Sequence, residues 1–175
     1  TGLMALQTGA RQGECLGQEW GRVHLTPGEE ALDLSWQLQR VPWRHGRDCV
    51  CKRGVSAARC PMREPDATED FELRPCYLGM WFQRPKTAAS IRAVPIQGLL
   101  VDAFWALHEE RAGVHGQVRD GDLVFCDLEG RPITSRDDNR AWHELCARAG
   151  VRDVDLHSAR HTMGSLMLGS VSYTH

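Results

Sequence analysis

Apolar and polar positions recur regularly enough to divide most of the chain into elements. Leu3, Met4 and Leu6 make a short helical patch closed by Thr8-Gly9, and Gly9 suits the left-handed position just past a helix end. Arg11 to Glu19 reads as a second short helix, with Cys15, Leu16 and Trp20 on its apolar side. A turn follows at Thr26-Pro27-Gly28-Glu29. From Ala31 to Val41, Leu32, Leu34, Trp36 and Leu38 alternate with Asp33, Ser35, Gln37 and Gln39, which predicts one half-buried strand. Leu78 to Gln83 and Ile91 to Ile96 supply two more strands, joined through Pro85 to Ser90. Leu99, Leu100, Ala103, Phe104 and Leu107 recur at helical spacing, with Gly113 as the stop. Leu123 to Phe125, Glu129-Gly130 and Pro132-Ile133 suggest a short hairpin or irregular connection. Ser135, with Asp138 three residues on, predicts a capped helix running to Ala149-Gly150, and Leu156 to Leu168 a last helix. The predicted fold is mostly α with a small three-stranded antiparallel sheet, α+β in class.

Residues 43–76 break the pattern. They read as an inserted loop that projects from the sheet edge and is the least ordered interior segment, because without apolar periodicity they have little to bury. A structureless stretch of that length is uncommon in a compact domain, which raises a metal tie as the alternative. Four of the seven cysteines fall here, and His45, Cys49, Cys51, Cys60 and Cys76 are the candidate metal ligands. Structural zinc usually takes Cys-x-x-Cys pairs. The one-residue spacing of Cys49 and Cys51 and the long gap before Cys76 favour reduced, unligated thiols, so no metal is expected. Cys15, Cys126 and Cys146 lie in apolar contexts and read as core.

Composition narrows the function. A chain of 175 residues fits one domain, 1–175. It has no run of eighteen apolar residues, hence no expected membrane span, and no secretory signal, hence no expected disulfide framework and a cytoplasmic location. The net charge of −2 excludes a generally basic coat, so any nucleic-acid contact must use local charge. Only Lys52 and Lys86 among the 21 basic residues are lysines. The chain opens without Met and reads as a fragment of a longer protein.

Three features carry chemistry. Thr8-Gly9-Ala10-Arg11-Gln12-Gly13-Glu14 sets an Arg on the opening turn of a helix. Pro85-Lys86-Thr87, followed by Ser90-Ile91-Arg92-Ala93-Val94-Pro95, sets a Lys at a hairpin tip. Leu156-His157-Ser158-Ala159-Arg160-His161-Thr162 sets His157 and Arg160 three apart, on one helix face. Each is commonplace alone, as solvated surface charge or as a core histidine. In this order and spacing, with Leu16-Gly17, Trp20, Leu123-Val124-Phe125, Gly130 and Pro132, they resemble the catalytic domain of the tyrosine recombinases, the phage-integrase family.

The resemblance implies cleavage and rejoining of double-stranded DNA through a 3′-phosphotyrosyl ester, with no cofactor. It also implies self-association on DNA as a tetrameric synapse. Negative charge spreads over the phosphoryl oxygens in such a reaction, so fixed cationic donors belong there, and a planar guanidinium reaches two oxygens at once. Arg11 and Arg160 match the family arginines, Lys86 the lysine that protonates the departing 5′ oxygen, and His157 the proton-transfer histidine. Glu14 and His161 match supporting positions. Arg11, Lys86, Arg92 and Arg160 are the expected DNA contacts. Tyr173 is the candidate nucleophile, with Tyr77 a poor substitute. Only 15 residues follow Arg160, shorter than the family interval, so cleavage in cis is expected to be impaired. The competing reading is a non-catalytic remnant that binds DNA or a partner.

Overall fold

In the computed structural model, which describes residues 1–68, 71–85, 87, 90–156 and 158, the chain enters through α1 (Gly2–Thr8). Gly9 turns it out of that helix at φ 64°, in the left-handed position expected for it. After α2 (Gln12–Leu16) and a 3-10 turn at Trp20–Arg22 come eight short strands: β1 (Val23–His24), β2 (Ala31–Asp33), β3 (Gln37–Arg40), β4 (Trp43–His45), β5 (Arg63–Pro65), β6 (Leu73–Tyr77), β7 (Met80–Gln83) and β8 (Ala93–Pro95). Two long helices follow, α3 (Leu99–His115) and α4 (Ser135–Ala149). The described residues form a mixed α+β architecture.

Among the described residues, the single sheet expected from the alternation is three. One has the order β1-β2-β8, a second β3-β7-β6, and β4 and β5 pair as a two-stranded ribbon, all antiparallel. The predicted strand from Ala31 to Val41 therefore breaks between two sheets. Its break is a side-chain turn: the Asp33 carboxylate accepts the Ser35 N–H at 2.8 Å and the Ser35 hydroxyl at 3.0 Å. Such a turn draws the backbone out of a ladder. The alternation runs through the break because Leu32 and Leu34 enter one hydrophobic core and Leu38 another.

The first core gathers Met4, Ala10, Cys15, Trp20, Leu32, Leu34, Ile96, Leu100, Phe104, Val124 and Leu156; the second gathers Leu16, Leu38, Met80, Phe82, Leu123 and Cys126. Helix α2 bridges them, with Cys15 in the first and Leu16 in the second. It lies directly on β3, and glycine makes this possible. A Cβ on Gly17 would come within 2.6 Å of the Leu38 backbone nitrogen, and one on Gly13 within 3.1 Å of the Leu38 carbonyl oxygen.

The inserted segment is not a structureless loop throughout. The β4–β5 ribbon pairs Trp43 with Pro65 and His45 with Arg63, a 3-10 turn spans Ala57–Arg59, and β6 belongs to the second sheet. Alternation misses β6 because its register shifts between Pro75 and Tyr77, where the extra residue disrupts a period of two. Boundaries move at the helices as well. Gly113 lies inside α3, which stops instead at Gly116 (φ 74°). Helix α4 is capped by Thr134, whose hydroxyl accepts the Asp137 N–H at 3.2 Å, one residue earlier than Ser135. It ends at Gly150, as expected. Leu156 is buried in the first core, and the Ser158 N–H donates to the Asp155 carboxylate at 2.6 Å. Most of the expected last helix lies outside the described residues.

Candidate active site

Arg11 occupies the extended residue between α1 and α2, at φ −72° and ψ 153°. Three residues on, Glu14 returns its carboxylate to that junction. It accepts the Arg11 backbone N–H at 2.7 Å and an Arg11 guanidinium N–H at 3.2 Å. From the far side Arg92 closes on the same carboxylate with both terminal nitrogens, each at 3.0 Å, and also donates to the Ser90 carbonyl at 3.2 Å. A two-pronged guanidinium–carboxylate pair is strong and fixes orientation.

Glu14 is 1% exposed while the Arg11 side chain is 48% exposed. Burial of Glu14 works to raise its pKa, but hydrogen bonds from Arg92 and the Arg11 backbone, with both positive charges, outweigh it and hold the carboxyl below its ordinary value. The group therefore carries two guanidinium charges against one carboxylate, with its accessible end at Arg11. Arg92, expected as a DNA contact, is engaged with Glu14 and ties the segment before β8 to α2.

A further tie was not legible in the sequence. The Gln12 amide, at the first residue of α2, donates to Asp138 at 2.8 Å and to Asn139 at 2.7 Å on α4. Asp138 is buried and also accepts the Thr1 hydroxyl. Spacing cannot reveal a partner more than 120 positions away.

Of the remaining expected site residues, Lys86, His157, Arg160, His161 and Tyr173 lie outside the described residues. Residues beside Lys86 and His157 are described. Thr87 and Ser90 close a turn, with their hydroxyl oxygens 3.0 Å apart and the Ser90 N–H on the Thr87 carbonyl at 3.0 Å. Leu156, which precedes His157, is buried in the same core as Ala10, which precedes Arg11. Tyr77 ends β6 at the hairpin with β7.

Elsewhere, an open groove of about 530 Å³ is lined by Trp20, Cys76, Phe82, Arg111, Leu123 and Cys126 among others, and includes none of Arg11, Glu14 or Arg92. Of the five candidate metal ligands, His45, Cys49, Cys51 and Cys60 come together, while Cys76 packs against the second core. No helix among the described residues is long and apolar enough to cross a membrane.

No protein-family model matches the chain. An integrase of Saccharopolyspora erythraea is 32% identical to it over 190 aligned positions, covering 95% of this chain and 42% of that protein. The Tn1549 transposon integrase, solved in complex with transposon right-end DNA, superposes with a TM-score of 0.63 at 18% identity over 97% of this chain and 45% of that one. The same integrase solved with circular-intermediate DNA gives 0.63 and 18% over 97% and 46%. The structural likeness is one of fold, and the chain spans less than half the length of each of these relatives. This chain is therefore similar along nearly its whole length to part of an integrase, and it has a fold shared with part of a transposon integrase.

Proposed function

We propose that this chain is the DNA-breaking and rejoining domain of a tyrosine-recombinase-type integrase, with Arg11 holding the scissile phosphate. The carrying observation is the Arg11–Glu14–Arg92 group. A buried carboxylate, anchored by Arg92, fixes the backbone and one guanidinium edge of Arg11 and leaves that side chain half exposed. Donors held in place before the reaction stabilise developing phosphoryl charge without reorganising. The shared core of Ala10 and Leu156 supports bringing the His157–Arg160 segment near Arg11.

On this reading a tyrosine oxygen, with Tyr173 the candidate, attacks phosphorus in line. The ester forms at the 3′ phosphate, the 5′ oxygen departs, and Lys86 supplies its proton. Arg11 and Arg160 neutralise the equatorial oxygens, and His157 moves a proton and orients the phosphate. The mostly helical character implied by the family resemblance, assembly of several copies on double-stranded DNA, and action in the bacterial cytoplasm belong to the same proposal.

The test begins with binding. Salt-sensitive DNA binding that weakens in Arg11→Ala is the expected outcome, and binding indifferent to that substitution would overturn the site. A nicked suicide substrate, whose 5′ product diffuses away, then assigns the chemistry. A covalent adduct that vanishes in Tyr173→Phe makes Tyr173 the nucleophile. Binding with no adduct leaves the second reading, a non-catalytic remnant that binds DNA or a partner, which the net charge of −2 favours.

A further inference from the structure

The β4–β5 ribbon ends in a cluster that integrase chemistry does not use. The ligand atoms of His45, Cys49, Cys51 and Cys60 all lie within 4.8 Å of one another. His45 Nδ1 is 3.2 Å from Cys49 Sγ, and Cys60 Sγ is 3.3 Å from Cys49 Sγ. A tetrahedral zinc with thiolate and imidazole ligands holds its ligand atoms roughly 3.3–3.8 Å apart, given bonds of about 2.0–2.3 Å. We propose that His45, Cys49, Cys51 and Cys60 bind one zinc ion, and that this ion is what holds the ribbon and its long loop together.

Three further observations point the same way. The other ring nitrogen of His45, Nε2, is 3.1 Å from the Val55 carbonyl oxygen. Donation there puts the proton on Nε2 and leaves the Nδ1 lone pair facing the thiols, which is how metal-binding histidines are oriented. The Cys51 backbone N–H donates to Cys49 Sγ at 3.3 Å, a bond that favours the thiolate form a metal needs. Cys60 is wholly buried yet belongs to neither hydrophobic core, so it is the loop folding around it that covers it.

Beyond its ladder and the Arg44–Glu64 ion pair, the ribbon and its loop bury little apolar surface. Val50 is 90% exposed and Met62 47%, and the ribbon meets the second sheet through the edge-on contact of Trp43 with Trp81, 5.8 Å between centroids. With so little apolar burial, ordering has to come from elsewhere, and metal binding supplies it directly. The path of the chain serves the cluster. Gly46, next to the first ligand, donates its N–H to the Met62 carbonyl at 2.9 Å, and a Cβ there would sit 2.3 Å from that oxygen. Only glycine lets the two limbs close so near the ligands. Three thiolates with one imidazole are soft donors in tetrahedral number, which selects zinc over calcium or magnesium.

The inference is independent of the proposed strand-breaking activity and is read without it. The 175-residue chain is purified under reducing conditions and its metal content measured by elemental mass spectrometry. One zinc per chain is expected, lost in Cys60→Ser and in His45→Ala, retained in Cys76→Ser and restored in His45→Cys. Cobalt in place of zinc should give the intense visible absorption of a tetrahedral thiolate site. Where Cys60→Ser fails to fold, the wild-type zinc content and cobalt spectrum still decide. Less than stoichiometric zinc with no cobalt spectrum would overturn the proposal, as would a Cys49–Cys60 disulfide found in place of the metal. Zinc lost equally in Cys76→Ser would overturn the ligand set.

Discussion

Glu14 shows what one side chain does for its neighbours. It is buried, yet it carries no reaction; it spends its charge on fixing Arg11 and Arg92. Its pKa is lowered in the folded chain, so its contribution to stability is complete above the unfolded carboxyl value of about 4.3 and is lost as pH falls through the lower folded value. Acid unfolding of the chain should therefore include a step below about pH 4.3 that disappears in Glu14→Gln. At neutral pH the same substitution should cost about 1–3 kcal/mol, the range for a hydrogen bond to a charged group and the unsatisfied donors left behind. Unfolding measured against pH in the two proteins checks both. Parallel profiles would show that the carboxylate does not hold the site.

At the scale of elements, close backbone approach and turn geometry decide more than propensity. Gly17 and Gly13 let α2, which begins just after Arg11 and bridges the two cores, lie on β3, so these two glycines are explained by packing and Gly9 by its left-handed turn. The β6–β7 hairpin turns through Leu78 (φ 40°) and Gly79 (φ 80°), both positive, as a two-residue turn between right-twisted strands requires. Gly79 suits that geometry and Leu78 does not, since a left-handed conformation costs an L-residue with a bulky side chain about 1–2 kcal/mol. Leu78 is 76% exposed, so little packing offsets the cost. Leu78→Asn should stabilise the chain by about 1 kcal/mol, a rise in Tm of roughly 2–4 °C, readable by thermal unfolding. A fall in Tm would mean that the exposed leucine makes a contact worth more than the turn.

For the whole molecule, the charge balance bears on how it would meet DNA under the proposed function. With a net charge of −2, attraction to a polyanion rests on a few placed cations. The dependence of DNA affinity on salt should be shallow for a chain of this size, and Arg11→Ala should reduce its slope by about one, the value for a single phosphate contact. A titration across salt concentrations measures this, and an unchanged slope would remove Arg11 from the phosphate. The ribbon adds a third unit to the two cores, one whose cohesion comes from ligand geometry in place of apolar area.

The residue order alone determined that helices lie near residues 2–8, 12–16, 99–115 and 135–149, the turn at Gly9 and the stop at Gly150, because each follows from local periodicity, capping or backbone permissiveness. It also marked His45, Cys49, Cys51, Cys60 and Cys76 as candidate metal ligands, while favouring free thiols. It did not divide the run from Ala31 to Val41, since alternation looks the same whether a strand faces one core or passes between two, and only the Asp33–Ser35 turn separates them. It hid β6 because a register shift erases a period of two. Tertiary structure alone decided that Arg92 belongs to Glu14, that Gln12 reaches Asp138, and that His45 completes the thiol cluster while Cys76 does not. These are contacts between segments brought together by burial, and linear spacing carries no record of which distant segments the two cores will place side by side.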